Sequence, residues 1–251
     1  MLLHFWTRAE QFADHAEGVR AILGRYPQDA QVLLLRMSGM HEGPEESPGY
    51  RWVTFEAPAA AEGLGIDSRA PIEDWSRLDE VLADFPDPRS LAILADNQPA
   101  DGRYRLAGWM SCLFERHWSL REMTNALMDF SANPREVHRL YRALTDFSLA
   151  IIGQARDELG ADDILTTDDF GMQTGPFFRP EVFLEFFAPY YGQLFCKTHE
   201  LGMHFWLHSC GNIEPFLPAL INLGLDVIHP IQKYAMDERL IAERYGGGIC
   251  V

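Results

Sequence analysis

His204-Phe-Trp-Leu-His-Ser-Cys-Gly211 is an apolar run that ends in two metal-binding side chains and a glycine turn. Side chains alternate faces along a strand, so His208 and Cys210, two positions apart, point the same way. A neutral imidazole and a thiolate are the ligand pair that zinc favours. A catalytic zinc site takes three protein ligands plus an open position, and an H-x-C pair supplies two of them. The same residues also read as a buried strand with a packed cysteine and a histidine bonded to backbone.

Outward from this strand one pattern repeats: strand, polar end, helix, glycine, next strand. Upstream, Tyr104-Arg-Leu-Ala-Gly-Trp-Met-Ser-Cys-Leu113 reads as a strand leading into Phe114-Glu-Arg-His-Trp118. Asn133-Pro-Arg-Glu136 is a helix start, with Asn as cap, Pro at the first helical position and Glu at the third. Val137, Leu140, Tyr141, Leu144, Ile151, Ile152 and Ala155 then fall at helical spacing, and Gly160 ends the helix. Asp163-Ile-Leu-Thr-Thr-Asp-Asp169 is the next strand. A long helix follows from Pro180 to about His199. Its face of Phe183, Phe186, Phe187, Tyr190, Tyr191, Leu194 and Phe195 reads as core, and Pro189 should kink it. Downstream, Pro215 to Leu223 is helical and Gly224 stops it. Asp226-Val-Ile-His-Pro-Ile-Gln232 is a strand, Asp237 caps a short helix, and Ile249-Cys-Val251 begins one more strand.

Strands separated by helices mean a parallel sheet. The polar residues gather at strand C-terminal ends: Asp168 and Asp169, His208 and Cys210, His229 and Gln232. In a (β/α)₈ barrel the active site lies at that end. A doubly wound sheet is the other architecture with this alternation, but no glycine-rich phosphate loop follows a strand. The first third of the chain is less regular. Gln31-Val-Leu-Leu-Leu-Arg-Met37 reads as the first strand, and residues 38–70, rich in Gly, Pro and Glu, as a long loop over the barrel mouth. Ala70-Pro-Ile-Glu-Asp-Trp75 and Asp84-Phe-Pro-Asp-Pro88 flank a short helix.

The chain has 251 residues, 47% of them hydrophobic, which suffices for the core of one barrel-sized domain. Its net charge of −16 disfavours nucleic acid, anionic membranes and polyanionic substrates as partners. Four cysteines without a C-x-x-C pair, no signal peptide and no long apolar run point to a reduced, cytoplasmic setting.

Thr167-Asp-Asp-Phe-Gly-Met-Gln-Thr-Gly-Pro176, Pro180-Glu-Val-Phe183 and Phe187-Ala-Pro-Tyr190 resemble the uroporphyrinogen decarboxylase superfamily. So do His208-Ser-Cys-Gly-Asn-Ile-Glu214 and Asp226-Val-Ile-His-Pro-Ile-Gln232. The resemblance runs from about residue 70 to the end and is most specific over 160–232. It implies a single (β/α)₈ TIM-barrel domain over 1–251 with an irregular segment before residue 70. By the same measure the chain stops at Val251 inside strand seven, so the last strands of the barrel are missing.

The superfamily carries two chemistries. Its decarboxylases use no metal or cofactor. Its cobalamin-linked methyltransferases hold zinc with an H-x-C pair, matched here by His208 and Cys210, and a later cysteine near the end of the last strand. The decarboxylases' N-terminal arginine segment has no counterpart; Arg36-Met-Ser-Gly-Met-His41 is the nearest stretch and lacks the second arginine. A substrate with eight carboxylates needs that basic cluster. The resemblance therefore implies a zinc-dependent methyltransferase. Its methyl donor would be a methylated corrinoid (cobalamin) carried by a partner protein, and its acceptor a small thiol-type molecule. Metal-free decarboxylation and a non-catalytic, partner-binding fragment are the alternatives.

Asp168 and Asp169 are the candidate catalytic acids. Being adjacent, they face opposite sides of a strand, and Asp168, in phase with Ile164 and Thr166, is expected to enter the mouth. Glu115, His117, His229 and Gln232 are candidate substrate-binding residues, with solvated-loop or structural roles open for the first three. Asn212 and Glu214 are read as helix-orienting or ligand-supporting. His204 belongs to the barrel floor and Cys250, at the start of its strand, to the core.

Overall fold

A computed structural model of the chain describes residues 13–35, 72–83 and 100–250. The expectations for residues 1–6, 36–70 and 84–88 lie outside the described residues, as does Val251. Among the described residues, five strands form one sheet: β1 (Ala30–Leu34), β2 (Tyr104–Trp109), β3 (Asp163–Thr167), β4 (His204–His208) and β5 (Val227–His229). Every pairing is parallel, and the spatial order is the chain order. A doubly wound sheet reverses its order at a switch point, whereas a (β/α)₈ wall does not. Cys250 bridges Val227 in parallel, so residues 249–250 extend the order to a sixth position. Cys250 itself is exposed, not core, because it stands on the edge of the described sheet.

The helices are α1 (Ala16–Arg25), α2 (Leu78–Ala83), α3 (Phe114–Arg121), α4 (Met123–Ala132), α5 (Pro134–Leu159), α6 (Pro180–Val182), α7 (Ala188–Glu200), α8 (Leu217–Leu223) and α9 (Glu238–Tyr245). None of them is long and apolar enough to cross a membrane. Pro134 opens α5, and Gly160 closes it with φ 59°, a conformation that favours glycine. Asn133 occupies the cap position, but its amide donates to Asp129 Oδ1 (2.7 Å) instead of accepting from the helix. The kink expected at Pro189 takes the form of a π-helical turn over Phe183–Phe187 between α6 and α7. Proline removes one i→i−4 bond and its ring crowds the carbonyl four residues back, so the preceding turn widens.

That widened turn turns its phenyl rings inward. Phe183, Phe186, Phe187, Tyr191, Leu194 and Phe195 are buried. Phe187 stacks on Phe178 and Phe183 on Phe216, each with centroids 5.0 Å apart. The aromatic face is therefore core, as its spacing suggests, and it covers the outer side of β3 and β4. Phe205 and Leu207 point into it, while His204, Trp206 and His208 point to the opposite side of the sheet.

A buried polar cluster ties α3 to α4 and to the segment before α2. Asp129 accepts from Trp75 Nε1 (2.8 Å), from Arg121 (2.8 and 3.1 Å) and from Asn133. Arg121 also donates to the carbonyls of Ile72 (2.6 Å) and Glu73 (2.9 Å). Burial alone would raise the Asp129 carboxyl. Hydrogen bonds from His117, Arg121, Trp75 and Asn133 outweigh it and hold the group well below the ordinary carboxylate value of 3.8.

A depressed native pKa contributes stability that is present above the unfolded value and lost as pH falls below it. The wild-type protein should therefore lose stability as pH drops below about 4. Asp129→Asn leaves the buried Arg121 uncompensated and should cost about 3–5 kcal/mol at neutral pH. It should also flatten that part of the acid slope, as read by thermal unfolding across pH.

Candidate metal centre

Two adjacent aspartates leave β3, and the register with β4 decides their fates. Thr167 lies opposite His208, and Asp163 opposite His204. Residues 163, 165, 167 and 169 thus share the face of His204, Trp206 and His208, whereas Ile164, Thr166 and Asp168 face the helices. This reverses the expectation for Asp168. Its buried carboxylate accepts the backbone N–H groups of Leu113 (3.0 Å), Phe114 (3.0 Å) and Glu115 (2.7 Å), and the Tyr191 hydroxyl at 2.7 Å. The first N–H groups of a helix have no intrahelical partner, and Asp168 satisfies them for α3 from another strand. Burial pushes its pKa up to about 6, against the pull of these donors.

Asp169 emerges on the other face, half-buried, beside His208 and Cys210. Cys210 Sγ lies 3.4 Å from His208 Nε2, and Asp169 Oδ1 lies 4.0 Å from that same nitrogen. Among the described residues, this is the group of three or more His, Cys, Asp or Glu side chains whose donor atoms converge, all within 4.8 Å of one another. The other ring nitrogen, His208 Nδ1, lies 2.9 Å from His229 Nδ1. With a proton shared on that side, Nε2 keeps its lone pair facing the thiol and the carboxylate, as a metal ligand requires. Burial lowers the His208 pKa, which favours this neutral ring.

The remaining expected residues fall into two groups. His229 and Gln232 support the site: His229 through His208, and Gln232 by accepting the Gly211 N–H at 2.5 Å. Glu115, in the first turn of α3, reaches the same face and takes a hydrogen bond from Thr167 Oγ1. Burial and the charges of Asp168 and Asp169 push its carboxyl up to about 8. His117 neither lines the pocket nor sits in a solvated loop. It is fully buried on α3 between Tyr141 Oη (3.1 Å) and Asp129 (3.3 Å), because α3 begins at Phe114 and turns this position toward α4 and α5. Asn212 accepts from the Glu214 N–H (3.2 Å) and Glu214 pairs with Arg244 (2.6 Å), so both orient the chain entering α8. His204 stands at the opposite end of β4 beside Asp163, as expected of a floor residue.

Three supporting residues escape a reading of the sequence alone. Ser209 is buried and accepts the Phe170 N–H (3.0 Å), while Asp169 accepts the Cys210 N–H (2.7 Å), so the two loops are laced reciprocally. Gly171 and Gly211 let those loops touch backbone to backbone. A Cβ on Gly211 would lie 2.2 Å from the Gly171 carbonyl carbon, and Gly211 has φ 83°. Each loop does carry a glycine two residues past its candidate ligand or next to it. Their contact was not readable because it depends on the β3–β4 register.

Residues 90–250 match the family described as uroporphyrinogen decarboxylase (URO-D). A solved structure titled "methyltransferase from Methanosarcina mazei" matches at 16% identity and a TM-score of 0.42, covering 61% of this chain and 40% of that one. The chain thus spans less than half the length of that methyltransferase. No curated protein matches.

Gly211→Ala tests the loop contact. The added methyl cannot fit against Gly171 and the positive φ is strained for alanine, so a loss of about 2 kcal/mol or more is expected in thermal unfolding. Cys210 should also become faster to alkylate than in the wild-type protein.

Proposed function

The chain belongs to the uroporphyrinogen decarboxylase family, and within it we propose a metal-dependent methyltransferase that uses zinc and methylates a small thiol-type acceptor. The observation that carries this reading is the pair His208 Nε2 and Cys210 Sγ, 3.4 Å apart at the C-terminal end of β4. Neighbouring ligand atoms on a tetrahedral zinc stand about 3.3–3.8 Å apart for bonds of about 2.0–2.3 Å, so the pair fits one ion. A nitrogen and a sulfur donor also suit zinc better than magnesium or calcium.

His208 and Cys210 would hold the ion, with His229 fixing the tautomer of His208 and Gln232 fixing the loop behind Cys210. Zinc held by these residues would supply Lewis-acid activation of a thiol acceptor, favouring its thiolate at neutral pH. The methyl donor in this reading is a methylated corrinoid presented by a partner protein. Phe170, Phe178, Phe187 and Phe216 pack immediately beneath the loops and keep water from reaching the site from behind.

The charge around the site argues against uroporphyrinogen as substrate. Asp169 and Glu115 stand there, and burial together with the charges of Asp168 and Asp169 raises Glu115. A molecule with eight carboxylates would meet the Asp169 carboxylate.

Protein purified without chelator should carry about one zinc per chain, and Cys210→Ser and His208→Ala should each abolish it. Metal-free wild-type protein would overturn this reading. Uroporphyrinogen supplied anaerobically should release no carbon dioxide; efficient release would instead identify a decarboxylase.

A further inference from the structure

We propose that Glu115 is the proton acceptor of the site, taking the proton that an acceptor thiol gives up as its sulfur becomes a nucleophile. The inference rests on the thiol reading above and extends it to a residue that stands on a helix. The transfer balances by itself. The S–H bond breaks, the proton goes to a Glu115 carboxylate oxygen, and the electron pair stays on sulfur.

Position carries the proposal. Glu115 sits in the first turn of α3, where Asp168 Oδ1 holds its backbone N–H at 2.7 Å. Its side chain is half-buried and takes the Thr167 hydroxyl on Oε2. Thr167 in turn accepts the Ser111 N–H at 2.8 Å, which fixes the direction of that hydroxyl. Thr167 pairs with His208 across the ladder, and paired strands lie about 4.8 Å apart. The Glu115 carboxyl is thus one hydrogen bond beyond the neighbour of His208, on the same face of the sheet. With Oε2 occupied, Oε1 is the atom left to take a proton, since it accepts from no other group among the described residues.

The neighbouring groups are committed elsewhere. Asp168 faces the helices, with its oxygens on three N–H groups and the Tyr191 hydroxyl. Asp169 Oδ1 accepts the Cys210 N–H, and His229 is tied to His208.

The basicity of Glu115 suits the task. Burial first, then the charges of Asp168 and Asp169, push its carboxyl up to about 8, which the Thr167 bond and the Arg116 charge only partly offset. The Cys210 thiol also faces it. An ordinary carboxylate near 4.3 takes a proton from a thiol near 8.5 with an equilibrium of about one in ten thousand. A carboxylate near 8 takes it almost evenly, and a base is most effective when its pKa lies near the working pH.

The simpler role for Glu115 is to accept the Thr167 hydroxyl and brace the rim. Counting protons separates the two roles without an activity assay. The zinc-loaded full chain would be titrated with 2-mercaptoethanol in weakly buffered solution containing a pH-indicator dye. Binding itself would be followed by the sulfur-to-metal charge-transfer band of the Co²⁺-loaded protein. Above about pH 8 the ionised Glu115 keeps the thiol proton, so net release should be close to zero. As pH falls through about 8 or somewhat lower, release should rise toward about one per thiol bound. Glu115→Gln still accepts the Thr167 hydroxyl but takes no proton, so it should release about one on both sides of that pH. Its zinc affinity and its metal-free melting temperature at neutral pH should match the wild type.

Thr167→Val tests the same point with Glu115 intact. Losing a hydrogen bond that favours the carboxylate should move the crossover to higher pH. A release of about one proton throughout in the wild type, or a crossover that neither variant changes, would overturn the assignment and leave the thiol reading standing. If the metal-loaded wild type binds no thiol, the thiol reading itself fails, and this inference fails with it.

Discussion

The pairing of β3 with β4, one residue against one residue, is the constraint on which the site depends. Thr167 opposite His208 fixes which side of the sheet each following residue takes. A slip of one residue would exchange the faces of Asp168 and Asp169. The helix α3 would then lose its buried cap, and the imidazole and thiol would lose the carboxylate beside them. The register is held firmly because the outer face of both strands is sealed by apolar side chains: a slip in β3 would turn Ile164 away from them, and a slip in β4 would expose Phe205 and Leu207 and bury His208.

Asp168 and Asp169 therefore form one structural device with two faces. Asp168 gathers three backbone N–H groups and a tyrosine hydroxyl. That anchors α3 to the end of β3 and brings Glu115 to the rim. Asp169 is then presented at a position that cannot drift, since its neighbours on both sides are pinned. Beyond it, Gly171 and Gly211 permit a closer backbone approach than any side chain would allow. The loop bearing Cys210 rests directly on the loop bearing Asp169, so the two candidate ligands move together or not at all.

Much of this could be read from the residues in order. The His208–Cys210 pair, the parallel alternation, the limits of α5 and the burial of the aromatic face all follow from local spacing and from glycine and proline chemistry. What could not be read depends on relations between elements. Alternation says that Asp168 and Asp169 part company, but only the neighbouring strand says which goes where. His117 reads as a pocket-lining or loop residue after a strand because the start of α3 carries no capping side chain of its own; its cap comes from Asp168, 54 positions beyond Phe114. Cys250 reads as core because it stands at the start of its strand, yet it lies exposed on the outer edge of the described sheet. Ser209, Gly171 and Gly211 matter through contacts between loops, which local spacing does not encode.

Burial and the charge of Asp169 push the Cys210 thiol up to about 11. Burial and the charges of Asp168 and Asp169 push Glu115 up to about 8. Taken alone, then, the acidic groups at these strand ends oppose one another's ionisation, and the fold holds them together at a cost. Stability does not account for such an arrangement, since separating the groups or neutralising one would relieve it. A divalent cation would reverse the relation: a coordinated thiol is deprotonated outright, and a neighbouring carboxylate would change from an opponent into a second anionic partner. The same juxtaposition that opposes ionisation in the protein alone would then become a source of affinity for an ion. Natural proteins tend to tolerate local conflicts of this kind where function requires them.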